Sequence, residues 1–208
     1  MTQLIETRWW LVRHGPIEAA HSGKINGRLD VGVDLSDTDQ VARLAQALPV
    51  DAVWVTSALG RTQTTAKAIG ARDFHIEPDL NEQNFGDWQG LTWGALAERD
   101  DAVLFWEAPA TTQPPGGETF SNQVVRVGAV MDRLSAEYAG RDIIAVVHAG
   151  VIRAGLAHAL GIDAGAALGF QVDTLSLNRM EHFTARPSGS RGGNWRVSAV
   201  NRTFRAGS

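Results

Sequence analysis

The stretch Trp9-Trp10-Leu11-Val12-Arg13-His14-Gly15-Pro16 constrains this chain more than any other. Four apolar residues, led by two aromatics, read as a strand buried on both faces, and Gly-Pro ends it with a turn and a missing backbone donor. An Arg-His pair is thereby held at the carboxyl end of a buried strand, the edge at which open α/β sheets bind their ligands. The pattern returns late in the chain. Ile143-Ile144-Ala145-Val146-Val147 is mostly β-branched, ends at His148-Ala149-Gly150, and gives way to helical spacing from Val151. Two buried strands each deliver one histidine to the same rim.

Between these runs, strands and helices alternate. Ile17 to Ser36 is polar and punctuated by Gly23, Gly27 and Gly32, which makes it a loop over the strand edge. Asp37 or Thr38 caps a helix whose Val41, Leu44, Ala45 and Leu48 share one face, and Pro49 ends it. A second strand, Asp51 to Val55, leads through Thr56-Ser57 into a helix from about Leu59 to Ile69, stopped by Gly70. Phe74 to Glu77 is a shorter strand closed by Pro78. This alternation is the signature of βαβ units and a mostly parallel sheet. From Asp79 to Gly117 it breaks down, leaving one short helical patch near Thr92 to Arg99; an irregular insertion of this length in an α/β domain reads as a lid. Phe120, Val124, Val127, Met131, Leu134 and Tyr138 then mark a long helix, capped within Glu118 to Ser121 and closed by Gly140, whose Met-and-aromatic stripe is core packing. After the helix Val151 to Leu160, strand character appears in Val172 to Met180 and Trp195 to Val200, with Ser188 to Gly193 as the exposed tip between them. One α/β domain over 1–208 is expected, with the insertion at about 79–117.

Composition narrows the partners. Lys and Arg number 19 against 23 Asp and Glu, a formal net charge of −4, and neither nucleic acid nor an anionic membrane suits such a balance. Cysteine is absent, which removes disulfides and thiolate metal sites. Met1 to Arg8 holds no apolar core of signal-peptide length, and no run approaches the roughly 18 apolar residues of a membrane span. A soluble protein with a cytoplasmic address is expected, and a homodimer is compatible with the sequence.

Arg13, His14, Arg61 and His148 all follow a strand or open the helix after one, so a parallel sheet brings them to one crevice. Two guanidinium groups there make an anion site, because their paired N–H donors match phosphate oxygens. The helix beginning after His148 aims its free N–H groups at the same place. A histidine beside a phosphate attacks phosphorus only as neutral imidazole, a form that neighbouring guanidinium charges favour. The leaving oxygen needs a proton, for which Glu82 is the leading donor and Asp87 its competitor. His21, His75, His158 and His182 have no comparable setting and read as surface or packing residues.

Together these motifs resemble the histidine phosphatase superfamily, also called the phosphoglycerate mutase-like family. The likeness rests on Arg13-His14-Gly15, on Arg61 within Thr56 to Ala66, on Glu82 before Phe85-Gly86-Asp87-Trp88-Gln89-Gly90, and on His148 before Val151-Ile152-Arg153. It implies a three-layer αβα sandwich with a mostly parallel central sheet. It further implies that His14 is transiently phosphorylated, that Arg13, Arg61 and His148 grip the phosphoryl oxygens, and that Glu82 protonates the leaving group and then activates water, with no metal or other cofactor. The chain departs from the family pattern in places. Ala20 stands where many relatives carry an Asn of the phosphate pocket, leaving Asn26 or Ser22 as substitutes; Pro16, Ala58, Thr64 and Ala149 also differ, and Pro115 to Thr119 resembles the family's Gly-Glu-Ser/Thr segment. The expected function is a metal-independent phosphomonoesterase acting on a small phosphorylated metabolite, nearest in look to the α-ribazole and sugar-phosphate phosphatase members. The alternatives are a mutase, a catalytically silent phospho-ligand-binding protein, and a metallohydrolase built from His14, His148, Asp87 and Glu82, which no ligand spacing supports.

Overall fold

The computed structural model describes residues 4–184 and 194–205. In chain order its strands are β1 (Glu6–Arg13), β2 (Val53–Thr56), β3 (His75–Ile76), β4 (Asp142–Val147), β5 (Leu177–Phe183) and β6 (Trp195–Arg202). Its helices are α1 (Thr38–Gln46), α2 (Gly60–Ala68), α3 (Trp93–Ala97), α4 (Val103–Glu107), α5 (Phe120–Glu137), α6 (Ala149–Leu160) and α7 (Ala164–Ala167). The strands form one sheet in the order β3-β2-β4-β1-β5-β6. The pairs β1–β4, β2–β4 and β2–β3 are parallel, and β5 and β6 add antiparallel pairs at one side.

The three layers follow from the period-two alternation of strand side chains. Ile143, Ala145 and Val147 of β4 join Trp9, Leu11 and Val55 on one face, where Val127, Met131 and Leu134 of α5 and Ile152 and Leu156 of α6 cover them. Ile144 and Val146 point the other way, with Val12, and meet Val41 and Leu44 of α1, Ala66 of α2 and Ile69 at its end. Asp37 caps α1 by accepting from Gln40 N, and Thr119 caps α5 by accepting from Asn122 N at 3.0 Å. No helix among the described residues is long and apolar enough to cross a membrane.

Several sequence expectations need adjustment. Strand β1 is not buried on both faces throughout. Trp10 is half-buried, its indole N–H donating to Asp142 at 2.8 Å and its ring covered by the Arg179 guanidinium at 4.2 Å. A polar handle and a cationic lid let an aromatic occupy a position whose neighbour in the sheet is an ion pair. The third strand shrinks to His75 and Ile76, both exposed at the sheet edge. The strand expected from Val172 starts only at Leu177, because Leu175 takes a left-handed φ of 57° and breaks the extended run. The tip expected at Ser188 to Gly193 lies outside the described residues.

The insertion is less irregular than its sequence suggests. It contains α3 and α4, and 3-10 turns at Gly86–Trp88 and Asp100–Ala102. Trp88, Leu96, Ala102 and Phe105 form a small core of their own with Ile25 from the first loop. Elements of five residues carry too little periodicity to read, and this core is assembled by contacts between distant residues. Backbone bonds from Ile25 N to Leu91 O and from Gly90 N to Ile25 O, both 2.8 Å, tie the loop and the insertion into one rim over the sheet edge.

Candidate active site

The register of β1 against β4 builds the centre of the site. Arg13 pairs with Val147, so the next residue of each strand leaves the sheet at the same level. His14 N donates to Val147 O at 2.9 Å, and the rings of His14 and His148 stand 5.2 Å apart, centroid to centroid. Strand β2 flanks β4 with Thr56 opposite Val146, which brings Ser57 and the first turn of α2 alongside. Arg61 from that turn is buried. It donates through Nε to His148 Nδ1 at 3.3 Å and through its terminal nitrogens to Leu29 O at 2.7 Å and Gly27 O at 2.6 Å. Arg13 donates to Val172 O at 2.6 Å, and its buried Nε has no partner among the described residues. A cavity of about 360 Å³ opens here, lined among others by Arg13, His14, Arg61, Glu82 and Ala149.

The hydrogen bonds assign the imidazole tautomers. Gly15 O lies 2.7 Å from His14 Nδ1, and a carbonyl only accepts, so Nδ1 carries the proton and the Nε2 lone pair is free. Burial, with the Arg61 and Arg13 charges added, pushes the His14 pKa from 6.5 down to about 3. His14 is therefore neutral across the physiological range, with an Nε2 lone pair open to an electrophile. Burial and the same arginines also hold His148 well below its ordinary value. Since Arg61 donates to its Nδ1, His148 carries its proton on Nε2 and donates to Ser57 Oγ at 2.9 Å; Ser57 in turn lies 3.0 Å from Thr62 Oγ1, which donates to Leu59 O at 2.8 Å. His148 is fully buried behind Arg61 and His14, outside the residues that line the cavity.

These depressed values have a thermodynamic consequence. Unfolded histidine takes up its proton near pH 6.5, and folded His14 does not until about pH 3, so between those limits the unfolded state binds more protons. Native stability therefore falls as pH falls through this window. We expect the slope of unfolding free energy against pH, from denaturant titrations, to be shallower in His14→Ala by about 1.4 kcal/mol per pH unit. Equal slopes would place a water-accessible imidazole at position 14.

Glu82 reaches the same cavity from the start of the insertion. Its Oε1 accepts from Gln83 N at 3.0 Å and from Gln123 Nε2 at 3.1 Å, and its Oε2 accepts from Gly150 N at 3.2 Å in the first turn of α6. Gly150 is required for this approach, because a Cβ there would collide with Glu82 Oε1. Asp87 is exposed and does not line the cavity, which leaves Glu82 as the carboxyl group in position.

The other proposed phosphate contacts divide. Ala149 lines the cavity, and its backbone N–H has no partner among the described residues, as an oxyanion site at a helix start requires. Asn26 also lines it, but its amide donates to His21 O at 3.1 Å and Lys24 O at 3.2 Å. Only its buried Oδ1 is left over, an acceptor, so Asn26 shapes the loop and offers phosphate no donor. Ala20 and Ser22 are exposed. His158 pairs with Asp132 at 2.9 Å, and His75 and His182 pack against Tyr138 and Trp195. Among the described residues, no three His, Cys, Asp or Glu side chains gather as a metal-binding group.

Sequence reasoning missed four contributors. Gln123 is fully buried on α5, donates to Glu82, and keeps an Oε1 without a partner. Its amide can turn to present either its NH2 or its carbonyl, and so can serve Glu82 as carboxylate or as acid. The signal was one amide on an otherwise apolar helix face. Arg28 and Arg126 both donate to Glu82 O at 3.3 Å and are held by Glu118, which accepts from them at 3.0 and 2.8 Å. Arg153, one turn of α6 beyond Ala149, lines the cavity and donates through Nε to Phe170 O at 2.8 Å.

The chain belongs to the histidine phosphatase superfamily, branch 1, whose family model matches residues 9–194. An adenosylcobalamin/α-ribazole phosphatase of Salmonella typhimurium is 32% identical over 174 residues, covering 80% of this chain and 86% of that protein. A metal-independent phosphoserine phosphatase of Arabidopsis thaliana is 31% identical over 156 residues, covering 69% of this chain and 65% of its own. A bifunctional protein of Mycobacterium tuberculosis is 34% identical over 185 residues; the chain spans half the length of that relative and 85% of itself is covered. Among solved structures, a mycobacterial glucosyl-3-phosphoglycerate phosphatase superimposes with a TM-score of 0.80 at 25% identity, covering 95% of this chain and all of the other. Mixed α/β architecture around a mostly parallel six-stranded sheet is common to this chain and its structural neighbours.

Proposed function

We propose that this protein is a metal-independent phosphomonoesterase that works through a phosphohistidine. In this reading His14 Nε2 attacks phosphorus, a P–N bond forms and the P–O bond to the alcohol breaks. Glu82 gives the departing oxygen its proton. Glu82 then takes a proton from water as that water attacks the phosphohistidine, and phosphate leaves with His14 restored. Arg13, Arg61 and the Ala149 N–H meet the phosphoryl oxygens; positioning and charge stabilisation supply most of the rate, as in phosphoryl transfer generally. His148 stands behind, donating through Nε2 to Ser57 while its Nδ1 steadies Arg61.

The observation that carries this reading is the neutral His14, with a free Nε2, on one cavity wall with two arginines and Glu82. The test is rapid-quench turnover of para-nitrophenyl phosphate with a chelator present. We expect phosphate release unaffected by the chelator and a phosphoenzyme that survives alkali and is lost in acid. Binding without turnover would favour a silent phospho-ligand-binding protein, and isomer formation from 3-phosphoglycerate would favour a mutase.

A further inference from the structure

The wall that the insertion contributes to the cavity is aromatic, and the chemistry described so far does not use it. Phe85, Trp93 and Phe105 line the cavity that also holds Arg13 and His14. They belong to a continuous edge-to-face array. Phe85 meets Trp93 at 6.2 Å and Phe105 at 6.4 Å, Phe105 meets Trp88 at 5.2 Å and Trp106 at 5.6 Å, and Trp106 returns to Trp93 at 6.1 Å. Trp88 and Phe105 are buried and anchor the array in the insertion's own core. Trp93 and Trp106 are 44% and 46% exposed, beside Val103 and Leu104, which are more exposed still.

Large apolar side chains left half in water and grouped at the mouth of a cavity mark an interaction site. The array is also fixed in place. Thr92 caps α3 by accepting from Ala95 N at 3.1 Å, and a backbone bridge joins Thr92 to Lys24 on the facing loop. The cavity therefore has two chemistries: a cationic floor supplied by the strand ends and α2, and a rigid aromatic wall supplied by the insertion. With a phosphate on the floor, the aromatic wall is within the same cavity as the group to which that phosphate is esterified.

We propose that this wall is a subsite for an aromatic ring in the alcohol half of the substrate, so that the natural substrate is a phosphomonoester carrying such a ring. Ring quadrupoles favour edge-to-face and offset contacts over random apolar packing, and Phe85, Trp93 and Phe105 all line the cavity. The inference rests on reading the cavity floor as a phosphate site.

Phosphonates test it, because their C–P bond resists hydrolysis and binding can be measured whether or not the protein is a phosphatase. Calorimetric titration with 2-phenylethylphosphonate and ethylphosphonate compares two ligands that differ only in the ring. We expect the ring to tighten binding by roughly tenfold to a hundredfold, the span of single stacking contacts on aromatic side chains. In Trp93→Ala the preference should collapse to within about threefold, and in Trp93→Phe most of it should return; the exposure of Trp93 protects the fold, which circular dichroism checks. Equal binding of the two ligands by the parent protein, or a preference that survives in both Trp93→Ala and Phe85→Ala, overturns the subsite and leaves the phosphate reading standing. If neither phosphonate binds and ethyl phosphate releases no phosphate, the phosphate reading itself falls, and the subsite with it.

Discussion

His14→Ala is expected to lose turnover by roughly 10⁴-fold or more on every phosphomonoester, while still binding phosphonates through Arg13 and Arg61. The expectation follows from what the side chain alone supplies. Gly15 O fixes the proton on Nδ1, burial and two cations keep the ring neutral, and the Nε2 lone pair is left free, as the proposed attack on phosphorus requires. The neighbouring imidazole cannot replace it, because both nitrogens of His148 are engaged, Nδ1 by Arg61 and Nε2 by Ser57. The measurement is steady-state turnover together with calorimetric binding on the same preparation. A variant within about tenfold of the parent rate moves the nucleophile to another residue, and loss of both turnover and binding reports a damaged fold.

Glu82→Gln should separate substrates by their leaving groups. An alkyl phosphate departs as a strongly basic alkoxide and needs the proton, so its turnover should fall by about 10² to 10⁴. Para-nitrophenolate leaves without help, and its turnover should fall much less, by roughly tenfold. The substitution keeps the length of the side chain beside Gly150 and Gln123, so the contrast reads proton transfer more than packing. Equal losses on both substrates would make Glu82 a structural carboxylate and send the search for the acid elsewhere.

The centre of this site was legible because strand ends are. A parallel sheet of buried β-branched runs can place Arg13 and Val147 in register in few ways, and once they are paired, His14 and His148 must emerge together. Arg61 was legible for the same reason, lying in the first turn after β2. What lay beyond reach was whatever depends on contacts between loops. Gln123 occupies a position that the helical period assigns to the core, and nothing local marks it as the partner of a carboxylate 41 residues away. Asn26 illustrates the converse. The right residue type in the right neighbourhood spends its donors on His21 and Lys24 carbonyls, which only coordinates can show. The small core of Trp88, Leu96, Phe105 and Ile25 was hidden likewise, since α3 and α4 are too short to announce their faces.

That second core has a consequence for local stability. Because the rim packs on itself, its local stability is set by the contacts of that core, the backbone bonds to Ile25 and the Lys24–Thr92 bridge rather than by the pairing of β1 with β4. Amide exchange in the rim should therefore run at its own rate, decoupled from that of β1 and β4. Part of the cavity's aromatic wall thus belongs to a unit with a core of its own, free to drift in evolution without disturbing the strand ends that carry Arg13, His14 and His148.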